Sequence, residues 1–106
     1  MKPITYTKRD IIVRTSSKLG IPEKNMKDIV ESVIETMTDM LTQPKSRLRI
    51  ELRNFGVFEI KPTKAKPRAR NPQTNEEVYV PPRRKVMFKP GKIIRDKIHQ
   101  EWNEKD

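Results

Sequence analysis

The chain contains no cysteine. Disulfides and thiolate metal sites are therefore excluded, and a reducing compartment is compatible with the sequence. Glycine is scarce as well: Gly20, Gly56 and Gly91 are isolated at the edges of expected elements, so no glycine-rich loop exists to cradle a nucleotide phosphate. No apolar run exceeds three residues, the length of Ile11-Ile12-Val13, which is far too short to span a membrane. Met1-Lys2-Pro3-Ile4 does not begin a secretory signal, and the expected location is cytoplasmic. The one histidine, His99, has no nucleophile or metal-ligand cluster around it in the sequence. The expectation is a protein that is not an enzyme and takes no cofactor, metal or small-molecule substrate. Asp28, Glu31, Glu35 and Asp39 recur every three or four residues opposite an apolar stripe, which reads as a solvated helix face rather than paired catalytic carboxylates.

Acidic residues are scarcest where basic ones are most concentrated. The chain carries 24 Lys and Arg against 14 Asp and Glu, a net charge of +10. Residues 61 to 92 hold ten of those bases and only two of the acids. A basic stretch with few apolar residues cannot bury a core, so it projects into solvent and awaits a polyanion, DNA or RNA. At 106 residues and 33% apolar content, the chain is one domain spanning 1–106 with a thin core of its own, and oligomerisation is expected.

Three periodicities organise the sequence. Thr7 precedes Lys8-Arg9-Asp10, a capping box that opens a helix ending at Gly20. After Ile21-Pro22, apolar residues at Met26, Ile29, Val30, Val33, Ile34, Met37, Met40 and Leu41 form one wide stripe at helical spacing, predicting a second helix to about Thr42. The pattern then switches to period two. Leu48, Ile50 and Leu52 alternate with basic and acidic residues, Asn54-Phe55-Gly56 turns the chain, and Phe58 and Ile60 resume the inward set, giving a hairpin with one dry and one basic face. Lys64, Lys66, Arg68 and Arg70 follow at every second position, and an unbroken strand would point all four the same way. A turn at Asn71 to Asn75 leads to Val78 and Val80 and then Pro81-Pro82, so a β-ribbon arm is the simplest geometry. Pro90 or Gly91 can open a last helix bearing Ile94, Ile98 and Trp102 on one side, its start flanked by Lys89 and Lys92 and suited to a phosphate.

The run Arg53-Asn54-Phe55-Gly56-Val57-Phe58-Glu59, then Arg70-Asn71-Pro72-Gln73-Thr74, then Phe88-Lys89-Pro90-Gly91-Lys92 resembles the bacterial histone-like family that contains HU and integration host factor. The resemblance spans roughly Thr7 to Ile98, and the helix, helix, hairpin, arm, helix order read above is that family's order. It implies an α+β fold: an intertwined dimer of two N-terminal helices, a three-stranded antiparallel sheet with an extended β-ribbon arm, and a C-terminal helix. The expected parts are a helical dimerisation region at 7–42, a sheet at 46–88 with the arm at about 62–82, a C-terminal helix at 90–102, and short extensions at 1–5 and 100–106.

The resemblance further implies arms that reach around double-stranded DNA in the minor groove, with Pro72 as the wedge that enters the base stack and kinks it. Basic charge and the resemblance together assign DNA contacts to Arg53, Lys61 and Lys64, to Lys66, Arg68 and Arg70 on the outgoing strand, and to Asn71, Gln73, Thr74 and Asn75 at the turn. Arg83, Arg84 and Lys85 on the return, and Lys89 and Lys92 before the last helix, complete the set. The dimer core is assigned to Val33, Ile34, Met37, Phe55, Phe58 and Phe88; the phenylalanines are read as packing residues rather than base-stacking ones. Trp102 is read as packing the end of the last helix. Two features depart from the family pattern. Asn75 stands where the turn usually has Gly, and Asn tolerates the left-handed conformation, so the turn should survive. The Gln43 to Arg47 link carries Pro44 and lacks the usual Gly.

The expected function is architectural: duplex DNA bound by minor-groove arms and bent or compacted in the nucleoid with weak sequence preference, by a homodimer or a heterodimer with a paralogue. A site-preferring subunit like those of integration host factor is the alternative within that class. A basic RNA-binding ribosomal protein is the alternative that composition alone permits.

Overall fold

The computed structural model describes residues 2–64, 66–80 and 82–100, and the chain divides into two compact units, Met1–Met40 and Leu41–Asp106. The first unit is helical. Helix α1, Lys8–Leu19, starts where Asp10 turns its carboxylate back onto Thr7, accepting the backbone N–H at 2.7 Å and the hydroxyl at 2.9 Å. An acid in the first turn also complements the positive end of the helix dipole. These hydrogen bonds from Thr7, backbone first, hold the Asp10 carboxyl below its ordinary value. The helix ends at Gly20, whose φ of +68° is the left-handed conformation glycine adopts without steric cost, and whose N–H returns to the Ser16 carbonyl. Ser16 is itself buried, and its hydroxyl is satisfied by donating to the Ile21 carbonyl across the bend.

Helix α2, Glu23–Leu41, begins after Pro22, whose carbonyl accepts the first helical bond from the Met26 N–H at 2.9 Å. Proline is tolerated at such a start because its missing N–H would have no helical partner there. Ile12 from α1 and Met26 and Val30 from α2 form the buried cluster, with Ile21 packed against it. Lys8 and Glu31 join the two helices by an ion pair of 2.8 Å. This small core leaves much of the stripe uncovered: Ile29, Val33, Ile34 and Met40 are exposed in the single chain, with Val33 at 53%.

The second unit is built on an antiparallel sheet of strands β1 Leu48–Leu52, β2 Gly56–Pro62 and β5 Arg84–Pro90, in the order β1-β2-β5. The register sets Ile50 opposite Phe58 and Phe58 opposite Phe88, Leu48 opposite Ile60 and Ile60 opposite Val86. One face is therefore apolar across all three strands, as the alternation predicts. Phe88 is the hub of the rings, with its centroid 4.8 Å from Phe58 and 5.5 Å from Phe55. The hairpin turn places Asn54 at φ +69°, a left-handed residue that short polar side chains accept.

Strands β3 Lys66–Arg70 and β4 Glu77–Val80 form a separate two-stranded ribbon between β2 and β5 in sequence. Helix α3, Lys92–Ile98, follows with Gly91 in extended conformation at its N-cap. The three helices, the three-stranded antiparallel sheet and the ribbon agree with the expected α+β class. The last helix starts two residues later than expected, because Pro90 is still paired with Gly56 in the sheet. Trp102, Pro81 and residues 101–106 lie outside the described residues.

Candidate nucleic-acid interface

The ribbon grows out of the sheet across a short, proline-limited junction. The β2–β5 ladder ends at Pro62 opposite Arg84, and the β3–β4 ladder begins at Lys66 opposite Val80. Between them, Thr63 and Arg83 face each other: the Thr63 N–H donates to the Arg83 carbonyl at 2.5 Å, its hydroxyl donates to the same carbonyl at 3.0 Å, and the Arg83 N–H donates back to that hydroxyl at 2.9 Å. A side chain thus continues the pairing where proline removes backbone donors. Arg84, assigned above to DNA, has another partner. Its guanidinium donates to the carbonyls of Gln43 at 2.5 Å and Lys45 at 3.0 Å, so it holds the Pro44 link against the root of the ribbon.

Along the ribbon the expected alternation of Lys64, Lys66, Arg68 and Arg70 is interrupted. The register shifts between Lys66 and Ala69, so three steps on β3 match two on β4. An extra residue of this kind breaks strict period two, and Pro67, without an N–H, sits within it. The side chains of Lys66 and Arg68 lie outside what the structure describes; Lys64 is exposed.

The turn is closed by its own asparagines. The Asn71 N–H donates to the Glu76 carbonyl at 2.8 Å, and the Asn75 N–H donates to the Asn71 carbonyl at 2.6 Å. The Asn71 side-chain oxygen accepts the Gln73 N–H at 2.9 Å. Asn75 takes φ +59°, the left-handed conformation the turn demands. Arg70 does not simply extend along the ribbon, because its guanidinium reaches the backbone and side-chain oxygens of Asn75 at 3.4 and 3.3 Å and stands 3.9 Å from Glu77. Pro72, Gln73 and Thr74 are all exposed at the apex, beside a half-buried Asn71.

The polar face of the sheet brings further cations together. Lys61 lies directly opposite Lys85, a like-charge pairing that is unfavourable for a sheet by itself. Glu59 offsets it: its carboxylate stands 3.2 Å from the Lys61 ammonium, 3.3 Å from Lys89 and 3.8 Å from the Arg49 guanidinium. Its Oε1 is sealed from solvent and is compensated by the two ammonium groups rather than by a well-aligned hydrogen bond. Burial alone would raise the Glu59 pKa, but Lys61 and Lys89 outweigh it and hold the carboxyl below its ordinary value. Sequence patterning did not single out Glu59, Arg49 or Thr63; the one signal to be had was an acid at an outward position between basic residues. Arg53 belongs to the β1–β2 turn and lines a shallow hollow with Asn54 and Gly91, and Lys92 is the first residue of α3. The expected dimer-core residues Val33, Ile34 and Met37 lie along α2, whereas Phe55, Phe58 and Phe88 lie at or on the apolar sheet face.

Comparison with known proteins agrees with this architecture. The family described as "Bacterial DNA-binding protein" matches residues 6–99. The chain is 33% identical over 92 residues to the DNA-binding protein HU of Thermotoga maritima, covering 87% of this chain and 98% of that protein. It is 39% identical over 95 residues to integration host factor subunit alpha of Hydrogenovibrio crunogenus, covering 90% and 94% respectively. Among solved structures, HU of Anabaena in a cocrystal with DNA superposes with a TM-score of 0.77 at 26% identity, covering 91% of this chain and all of that one. With the sheet, the basic ribbon and the helices in the same order, the chain belongs to the bacterial DNA-binding protein family of HU and integration host factor.

Proposed function

We propose that this protein is an architectural DNA-binding protein that acts as a dimer, lays its two ribbons into the minor groove of duplex DNA, and bends or compacts it with weak sequence preference. The ribbon carries the reading: a two-stranded arm set off from the sheet by the Thr63–Arg83 junction, with Pro72 exposed at its turn. A rigid apolar ring with no N–H to desolvate is suited to wedge between stacked base pairs, and the few kcal/mol or so of unstacking are offset by the phosphate contacts that a bend permits. The contacts fall to Lys61, Lys64, Lys66, Arg68, Arg83, Lys85, Lys89 and Lys92, with the turn residues Asn71, Gln73, Thr74 and Asn75 at the groove floor. The cation cluster around Glu59 supplies charge at the root of the arm.

The dimer is supported by what a single chain leaves uncovered. Val33, Ile34, Phe55 and Phe88 are all exposed, and Phe55 and Phe88 retain 48% and 40% of their surface. Large apolar groups left open in each of the two units favour burial against a second copy. Action in the cytoplasm on the nucleoid follows from the DNA partner, and no described helix is long and apolar enough to cross a membrane.

The test is binding to intact, nicked and pre-bent duplexes and to A-form RNA at several salt concentrations, with end-to-end distance measured by energy transfer and mass by sedimentation. A dimer that shortens intact duplex DNA and prefers it to RNA is expected. A monomer, or equal binding to RNA without bending, would overturn the reading.

A further inference from the structure

The two asparagines of the ribbon turn are polarised by the protein itself. The Asn71 side chain faces the backbone N–H of Gln73, and the Asn75 side chain faces the Arg70 guanidinium. Both partners can only donate, so the amide atom turned towards each must be the carbonyl oxygen. Both NH2 groups are left pointing away from those partners, and among the described residues neither has an acceptor. The Thr74 hydroxyl is arranged the same way, accepting from the Glu76 N–H and keeping its own hydrogen to donate. The apex beside Pro72 therefore presents donors. Asn75 is the most committed of the three, because Arg70 holds its side-chain oxygen at 3.3 Å and its backbone oxygen at 3.4 Å while the residue sits in the left-handed conformation.

The minor groove gives such a surface something to read. An A·T pair shows only acceptors there, whereas a G·C pair adds the guanine N2 amino donor. We infer that Asn75, oriented by Arg70, is a specificity-determining residue that makes the arm tip favour A·T over G·C at the base pairs beside the wedge. The inference rests on the proposed placement of the arm in the minor groove and adds the chemistry that is recognised. A donor from Asn75 meets adenine N3 or thymine O2 with a hydrogen bond, and meets the guanine amino group with a desolvated donor facing a donor. Arg70 is a positioning residue, acting through the amide it orients.

The experiment uses the full chain and a duplex carrying two fixed nicks, with the base pairs flanking each nick made A·T, G·C or inosine·C. Inosine lacks the amino group of guanine and so presents the acceptor pattern of A·T in the minor groove. Affinity and bending are measured on all three for the parent and for Asn75→Gly, which keeps the turn because glycine is favoured at positive φ. The parent is expected to bind A·T and inosine·C alike and G·C weaker by about fivefold or more. Asn75→Gly, which removes a donor from the groove floor, is expected to lose affinity for the A·T and inosine·C duplexes and so to bring that ratio close to one. Asn75→Asp, which replaces the donor with an acceptor, should weaken binding to the A·T duplex most. If the parent bends all three but binds them equally, or if Asn75→Gly keeps the parent's ratio, the assignment is overturned and the architectural reading stands. If the parent neither binds nor bends any of them, both are overturned.

Discussion

A β-carbon on Gly56 would stand 2.6 Å from the ring of Phe88 and 2.6 Å from the carbonyl of Lys89, so the first residue of β2 is glycine because the neighbouring strand leaves it no room. Gly56 pairs with Pro90 across the ladder, directly beside the Phe88 hub. Gly56→Ala must displace either an aromatic ring or a strand, and overpacking of this kind costs about 1–3 kcal/mol. Urea denaturation should therefore give a lower midpoint. Gly91→Ala, whose β-carbon would meet backbone atoms at 3.0 to 3.1 Å, should lose less.

Val33 tests the partner surface. At 53% exposure in the single chain, a solvent-facing Val33→Asp would change stability by within about 0.5 kcal/mol. If a second copy covers it, the substitution buries an unpaired charge, and both the dimer in sedimentation and the helical circular dichroism signal should be lost. An unchanged mass and melting temperature would show that α2 is not the interface.

Pro72→Ala separates bending from binding. Pro72 is exposed on the turn, so the fold should persist. Bending of intact duplex, read by energy transfer, should fall, and affinity for nicked duplex should fall less than for intact, because the nick has already supplied some of the unstacking. A variant that bends intact duplex as sharply as the parent would reduce Pro72 to a turn residue.

Lys64, exposed just before the ribbon, is expected to contact phosphate. Lys64→Gln should weaken binding to all sequences alike and reduce the slope of log affinity against log salt by about one per contact, about two per dimer. The same slope in parent and variant would remove Lys64 from the interface.

Glu59 predicts the acid behaviour of the sheet. Lys61 and Lys89 outweigh its burial and depress its pKa below the ordinary 4.5, so the fold favours the ionised form. Its contribution to stability is present above the ordinary value and is lost as pH falls through the lower folded value. Glu59→Gln should therefore flatten the decline in stability as pH falls below the ordinary value of 4.5. It should not abolish that decline, because Asp10 and Glu31 are also held below their ordinary values, by Thr7 and Lys8. Denaturation curves across that range would measure it, and parallel curves for parent and variant would mean the cations do not stabilise Glu59.

The order of elements was legible in the chain because each has a local cause. The Thr7 and Asp10 pair, the stop at Gly20, the stripe from Met26 to Leu41 and the alternation from Leu48 to Ile60 all act within a turn or a strand, and the fold reproduces them. Asn75 also behaved as its intrinsic preference dictates. What the chain did not disclose depends on residues far apart in sequence. Arg84 looked like one more cation until the fold brought the Gln43 and Lys45 carbonyls, some forty residues away, within its reach. Lys61 and Lys89 are tied through Glu59 only because β2 and β5 pair in one register. The register of the ribbon is long-range as well: alternation is a property of an isolated strand, but the partner strand sets the register, and here it shifts by one residue between Lys66 and Ala69. Local preference and periodicity therefore determined which elements form, whereas strand pairing and side-chain reach across the sheet decided which charged groups are brought together within the protein.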